Sequence, residues 1–343
     1  MSARALHLPC DQHQTPSLRG GVWRIMVLWS MMGIITGPAA DTPAPGGLSP
    51  FGSIGPAEPP PYHHAWSNFL LTRKRRFDDV RLTIWEINAG ASGPLASGQD
   101  DGRLWQTAYD AEVGWRVHQE GSYSGDDARL NRGRLGLRLH GEVSGHLGIA
   151  GRFAVAMSDS SHGSFMAAPE VALAGTWRFD DDLLIVGASY ATLMPCRWGE
   201  KRVMPLVEYH ALRGPGLHAI LGFPRTEIHW SPTDESTISA RYRFPADADL
   251  QLHQAITDQV GLALQFWHRE RAWGGWLDDQ RLYIRDMGLA LLADLHGPGW
   301  RVQVGPAAII EETWRVGRRR RRSSRIARPD EGLGVLLSGA IDF

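Results

Sequence analysis

The residues most able to do chemistry in this sequence are few and scattered. Asp159-Ser-Ser-His162 puts a carboxylate, hydroxyls and an imidazole side by side, the groups of an acyl-transfer triad. A working triad needs its members delivered by separate elements, so neighbours on one loop do not make one. We assign no catalytic residue and expect no enzyme. His63 and His64 adjoin, but the histidines as a set lack metal-ligand spacing, and neither a metal nor another cofactor is expected. Cys196, between Pro195 and Arg197, has no CxxC partner, and Cys10 lies in a segment expected to be removed. The strongest charge feature is the run Arg318, Arg319, Arg320, Arg321 and Arg322, followed by Arg325 and Arg328. Guanidinium groups grip phosphates in bidentate fashion, which makes the run a candidate contact for lipopolysaccharide or another polyanion, against the plainer reading of a solvated loop. A formal net charge of −1 and the lack of a stacking platform beside the run argue against a nucleic-acid partner.

The elements that would have to position such residues are strands. The chain ends on Leu333-Gly-Val-Leu-Leu-Ser-Gly-Ala-Ile-Asp-Phe343, in which Leu333, Val335, Leu337, Ile341 and Phe343 share one face and Gly334, Ser338, Ala340 and Asp342 the other. Only a period of two sorts residues this way. The pattern recurs: Leu135, Leu137 and Leu139 oppose Arg134, Arg138 and His140; Ile238, Ala240, Tyr242 and Phe244 oppose Ser239, Arg241 and Arg243; Val260, Leu262, Leu264 and Phe266 oppose Gly261, Ala263 and Gln265. An apolar face ending in a terminal aromatic is the pattern of a closing outer-membrane strand, read by the barrel-assembly machinery.

The N-terminus supports export. Arg4, Arg19 and Arg24 precede an apolar run from Ile25 to Ile35, and Thr36-Gly-Pro-Ala-Ala40 supplies small residues for cleavage. The expected organisation is a signal peptide over residues 1–40, a Pro-rich and basic linker over 41–78, largely disordered, and a barrel over 79–343. Short turns such as Ser144-Gly-His146 and His296-Gly-Pro-Gly299 fall on the side where the chain ends. Longer polar stretches, from Glu120 to Asn131, Ser158 to Pro169, Arg269 to Asp279 and Arg315 to Gly332, fall mostly on the other. That sorting matches periplasmic turns and extracellular loops. A closed single chain wants an even strand count, so we expect a closed all-β antiparallel barrel of twelve strands, with fourteen as the alternative.

Backbone groups in lipid must be paired inside the protein, so these strands close or stay in water. If they close, Arg138, His140, Glu142, Arg152, Glu227, His229, Arg241 and Arg243 are expected to line the lumen. Paired across it, the charged residues among them plug a scaffold; held apart, they line a wet pore. Trp105, Trp115, Trp267, Trp273, Trp276, Trp300 and Trp314 fall near expected strand ends and would form interfacial girdles.

Three stretches carry a resemblance: Arg202-Val-Met-Pro-Leu-Val207, Leu221-Gly-Phe-Pro-Arg-Thr-Glu-Ile-His-Trp230 and Thr237-Ile-Ser-Ala-Arg-Tyr-Arg243. In this order they resemble an uncharacterised family of bacterial outer-membrane β-barrel proteins, a domain of unknown function, whose members end on an aromatic strand. The resemblance covers roughly Val80 to Phe343 and implies the fold; it supplies no activity or catalytic residues. The Arg-rich insertion near the end departs from the family's pattern. The expectation is thus an outer-membrane barrel in contact with lipid, either a passive pore for small polar solutes or an envelope scaffold displaying loops. The rival is a secreted soluble β-protein that binds a carbohydrate or polyanion through its aromatics.

Overall fold

In a computed structural model the described residues form strands, turns and short extended links. The structure describes residues 63–77, 80–100, 103–120, 128–160, 165–179, 182–190, 203–212, 216–244, 247–273, 280–317, 324–327 and 331–343. The expected signal peptide, most of the expected linker, Cys196, Trp276 and Arg318 to Arg322 lie outside them.

The strands are β1 (His64–Phe77), β2 (Val80–Asp100), β3 (Arg103–Glu120), β4 (Ala128–Ser144), β5 (Leu147–Ser160), β6 (Met166–Phe179), β7 (Asp182–Tyr190), β8 (Val203–Leu212), β9 (Leu217–Phe223), β10 (Arg225–Trp230), β11 (Ser236–Arg243), β12 (Asp247–Ala255), β13 (Val260–Trp273), β14 (Arg281–Gly297), β15 (Trp300–Gly317), β16 (Ser324–Ala327) and β17 (Gly332–Asp342). From β1 to β15 each pairs antiparallel with the next in sequence, and β17 lies between β15 and β1. β16 is a short rung on the far end of β15, so the closed wall has 16 strands.

Alternation explains why these residues form these strands. In β5 and β6 each buried residue is followed by a more exposed one along most of the strand, and the exposed members are Ile149, Phe153 and Leu173. The inner positions carry small or polar residues: Ala150, Arg152 and Ala154 in β5, and Glu170, Ala172 and Ala174 in β6. The outer face is therefore aliphatic, and the inner one is where charge collects.

The expected twelve or fourteen strands are corrected to 16. One addition is β1, which occupies the end of the segment expected to be linker; its basic tetrapeptide Arg73-Lys-Arg-Arg76 hid a strand that pairs with both β2 and β17. The others come from the region of β9 to β12, with 7, 6, 8 and 9 residues. These are shorter than the roughly ten residues of a tilted membrane strand, and only Pro224 separates β9 from β10. The expected long loops shrink for the opposite reason: β4 begins at Ala128, β6 at Met166, and β13 runs on to Trp273.

The wall is uneven in height. The turns on the rim where the chain ends are short throughout, so differences in strand length appear at the far rim. β2, β3, β4, β14 and β15 have 21, 18, 17, 17 and 18 residues and rise well above the arc from β9 to β12. The ring is also pinched, because β13 comes within 8 Å of β4 and of β5, measured between Cα atoms, across the interior. Leu130 of β4 packs there against Trp273, Leu282, Ile284 and Trp314.

Closure rests on the β1–β17 seam, which runs in register from His64↔Asp342 to Arg73↔Leu333. A clasp finishes it, with the backbone groups of His63 and Phe343 exchanging two hydrogen bonds of 2.8 Å. At Gly334 an added Cβ would fall 2.0 Å from the Leu71 carbonyl oxygen, so the strands can approach only with glycine there. Gly334→Val is expected to destabilise the barrel by about 1–3 kcal/mol through overpacking, seen as a lower denaturant midpoint in tryptophan fluorescence.

Candidate functional site

The inner face concentrates charge into clusters in which acids and arginines alternate. The largest joins strands from opposite sides of the seam. Arg116 of β3 donates to Glu86 of β2 at 2.8 Å and to Glu312 of β15 at 2.5 Å. Arg271 of β13 also donates to Glu86, closing a link between strands that are far apart around the ring. Asp286 of β14 stands 3.9 Å from Arg116 and 3.7 Å from Arg271. All five side chains are buried, at 2–4% exposure.

Neutral donors complete this cluster. Trp267 Nε1 donates to Asp286 and Trp314 Nε1 to Glu312. Asn88 donates to Glu86 and accepts from Arg132, whose guanidinium lies 5.2 Å above the Trp273 ring. A carboxylate buried this deeply keeps its charge only when arginines and further donors surround it. Chemically the arrangement is a closed ionic lattice in which most donors and acceptors are directed at one another, while Arg271 Nε and Asp286 Oδ2 make no hydrogen bond within the described residues.

A second cluster lies on β3 to β6. Arg138 and Arg152, directly opposite in register, both reach Asp110, at 3.0 Å and 2.5 Å. Arg134 bridges Glu112 at 3.3 Å and Glu170 at 2.9 Å. A third gathers at Asp294, which holds Arg301 and His253 at 2.7 Å each, with His296 at 3.9 Å.

The residues singled out from sequence fall into this pattern unequally. Arg138 and Arg152 meet at Asp110. Glu142 accepts from the Leu104 amide at 3.3 Å, and His140 is half-buried beside it on β4. Glu227 stands 3.8 Å from Arg225, His229 pairs with the Ser239 hydroxyl at 3.0 Å, and Arg241 lies 4.0 Å from Asp249. Arg243 borders a small cleft with Arg241, Asp247, Asp249 and Arg269. Glu227, Arg241 and Arg243 come together on the β10–β11 hairpin, while Arg138, His140, Glu142 and Arg152 lie on β4 and β5, so the set forms no single site. In the Asp159-Ser-Ser-His162 stretch, Asp159 accepts from the Ser160 amide at 2.9 Å, while Ser161 and His162 lie outside the described residues.

Two expectations need correcting. Trp267, Trp273 and Trp314 are not girdle residues, being 1%, 2% and 8% exposed. Alternation with Phe266 and the inner Gln265 already turns Trp267 inward, and the preference of tryptophan for strand ends misled the reading. The exposed rings at the rim where the chain ends are Trp105, Trp177, Phe179, Trp230, Trp300 and Phe343. The largest cluster is not among the expected lumen residues: Arg271 and Glu312 fall in or next to segments expected as loops, and the alternation around Glu86 is broken by Asn88-Ala-Gly90. Continuing the two-residue period of β13 through Arg269, Arg271 and Trp273 would have found Arg271.

No family model matches the chain, and no curated protein matches it. Solved structures do. The translocator domain of the autotransporter NalP from Neisseria meningitidis is similar at 13% identity over 82% of this chain and 88% of that one, with a TM-score of 0.29. The Pseudomonas putida toluene transporter TodX is similar at 8% identity over 83% and 90%, with a TM-score of 0.38. OccK7 (OpdD) of Pseudomonas aeruginosa is similar at 12% identity over 82% and 99%, with a TM-score of 0.34.

Removing one member of the largest cluster strands its partners. Arg271→Met is expected to cost about 3–5 kcal/mol, because Glu86 and Asp286 lose a buried counter-charge. Adding Glu86→Gln to it is expected to return at least about 1 kcal/mol, a coupling measurable by a double-mutant cycle in denaturant unfolding.

Proposed function

We propose that this protein is an outer-membrane β-barrel whose interior is closed by its own ion pairs, and that it acts as an envelope scaffold presenting the far-rim segments. The membrane half of this reading is supported by the outer face. Leu135, Leu137, Leu139, Ile149, Phe153, Leu173, Leu291 and Leu333 are 48–77% exposed, on β4, β5, β6, β14 and β17 of a closed wall. Contiguous apolar surface on that scale is unfavourable in water and matched by lipid. Exposed aromatics gathered at the C-terminal rim fit an interfacial belt. The rival soluble carbohydrate binder needs those rings in one groove, and they are spread around a rim. Export by a cleaved signal peptide and recognition of the strand ending in Phe343 by the assembly machinery belong to the same proposal.

The closed interior rests on one observation, the buried lattice of Glu86, Arg116, Arg271, Asp286 and Glu312 joining β2 and β3 to β13, β14 and β15. Ions crossing at that level would have to break charge-assisted bonds among groups with almost no exposure. A narrow polar pore is the second reading, favoured by the cleft on the β11–β13 side of the ring, lined by Arg241, Arg243, Asp247, Asp249 and Arg269.

Gel mobility and conductance separate these readings. The mature chain from a membrane fraction is expected to run faster unboiled than boiled, and identical mobility from a soluble fraction would sink the barrel in the membrane. In planar bilayers the wild type is expected to show no steady channel, and a Glu86→Ala/Arg271→Ala double variant to conduct. Steady steps from the wild type would replace the scaffold with the pore.

A further inference from the structure

We infer that Arg225 and Arg243, facing each other at the far rim of β10 and β11, form a binding site for one phosphate group, supplied by a lipid of the outer leaflet. The inference rests on the outer-membrane reading above. Arg225 and Arg243 are direct register partners, and like charges placed opposite each other across a pair of strands destabilise it unless something negative intervenes. The molecule shows what that something looks like. Arg138 and Arg152 are also direct partners, and Asp110 accepts from the Nε of each, at 3.0 Å and 3.2 Å.

At Arg225 and Arg243 the corresponding place holds no carboxylate. The Nε of each arginine is buried and has no hydrogen-bond partner among the described residues. The acids nearby, which include Asp247 opposite Arg243 in register on β12, reach other atoms and hydrogen-bond to neither Nε. Glu208 accepts from Arg225 Nη2 at 3.0 Å and pairs with His210 at 3.1 Å. Asp247 accepts the Glu270 amide at 3.1 Å, and Asp249 holds Arg269 at 3.2 Å. Glu227 comes no closer to Arg225 than 3.8 Å. Two guanidinium edges are thus left in want of a shared acceptor, and a tetrahedral phosphate, with several oxygens to offer, suits them.

The height of the wall says where the phosphate comes from. β10 has 6 residues, about 20 Å along the strand at ~3.3 Å per residue and roughly 15 Å of height at a 40° tilt, against an apolar band of ~25 Å. Phe223 and Phe244 pack together at 5.0 Å on the outer side of this rim, with Tyr242 exposed beside them. Girdles of aromatic rings flank the apolar band of such barrels; Phe223 stands two residues from Arg225, and Tyr242 and Phe244 each one residue from Arg243. Lipid phosphates beside the low arc therefore reach the height of the two arginines, with only the Phe223-Pro224 turn between.

The test uses the detergent-extracted, delipidated full-length mature barrel and native mass spectrometry. Phosphatidylglycerol, a phosphate-free galactolipid and inorganic phosphate are offered in turn. The wild type is expected to hold one phosphatidylglycerol in clear preference to the galactolipid. Arg243→Gln is expected to weaken that binding about tenfold or more, the loss of roughly one charge-assisted bond, while Arg285→Gln, at an exposed arginine on β14, leaves it unchanged. Equal binding of phosphatidylglycerol by the wild type and Arg243→Gln, or no preference over galactolipid, would overturn the site. Inorganic phosphate binding as tightly as the lipid would overturn the lipid source. Should Arg243→Gln lose the fast unboiled band, the wild-type comparison of the three ligands decides alone. A wild type without that band refutes the outer-membrane reading itself, a separate failure.

Discussion

A sheet of amphipathic strands has two free edges until its first strand meets its last, and the remaining features of this protein depend on that meeting. β1 and β17 supply it over ten register pairs from His64↔Asp342 to Arg73↔Leu333. With the edges gone, backbone hydrogen bonding is satisfied within the wall, and the alternation of the strands becomes an inside and an outside. Leu333, Val335 and Leu337 then have nowhere to point but outward, and Leu336, Ser338 and Asp342 nowhere but in. The mutual clasp of His63 and Phe343 holds the seam at the end where strand pairing would otherwise fray.

Closure also sets the problem that the interior has to solve. Sixteen strands enclose more space than their inner side chains would fill as a round ring, yet Trp267, Leu292, Glu312 and Gln265 are almost completely buried. The pinch of β13 toward β4 and β5 reconciles the two. It brings Leu130 onto Trp273 and carries Arg271 to Glu86, so that apolar packing and ion pairing close the same level together. Buried ion pairs are poor sources of stability compared with an apolar core of the same shape, but breaking one is expensive. The lattice therefore works best as a register device: a slip of one residue in any of β2, β3, β13, β14 or β15 would turn a charged group out to the lipid-facing side and leave its partner bare.

How much of this was legible in the sequence follows from the range of each signal. A period of two is local, so the long amphipathic strands β4, β5, β13 and β17 could be read directly, as could the division of Leu135 from Arg134 or Phe266 from Gln265. Strand count was not legible, because short strands such as β10 offer too few repeats to register and because the basic run at the end of β1 masks its alternation. Partnership across the interior was invisible for a different reason. Arg116 and Glu312 are 196 residues apart, and Arg271 and Glu86 are 185 apart. Nothing in either neighbourhood names the other; only closure and the pinch bring them together. The tryptophans show the converse error, in which a residue-type preference was allowed to outvote the phase of the strand that carries it.

On the proposed outer-membrane reading, the uneven wall gives the closed barrel a direction within the membrane plane. On the tall side, β2 to β4 and β14 to β15 are longer than a bilayer crossing needs, and near the far ends of β4, β13, β14 and β15 the side chains of Leu130, Trp273, Leu282, Ile284 and Trp314 pack together. On the low side the rim sits close to the level where lipid headgroups begin, and inward-facing arginines stand immediately behind a pair of phenylalanines. A membrane barrel of even height presents the same surface to lipid all round, whereas a wall as uneven as this one would be met in a bilayer by a thinner leaflet over one arc. The short strands β9 to β12 are thus what makes the two sides of the molecule different, and on that arc the Nε atoms of Arg225 and Arg243 are among the buried donors that have no hydrogen-bond partner within the described residues.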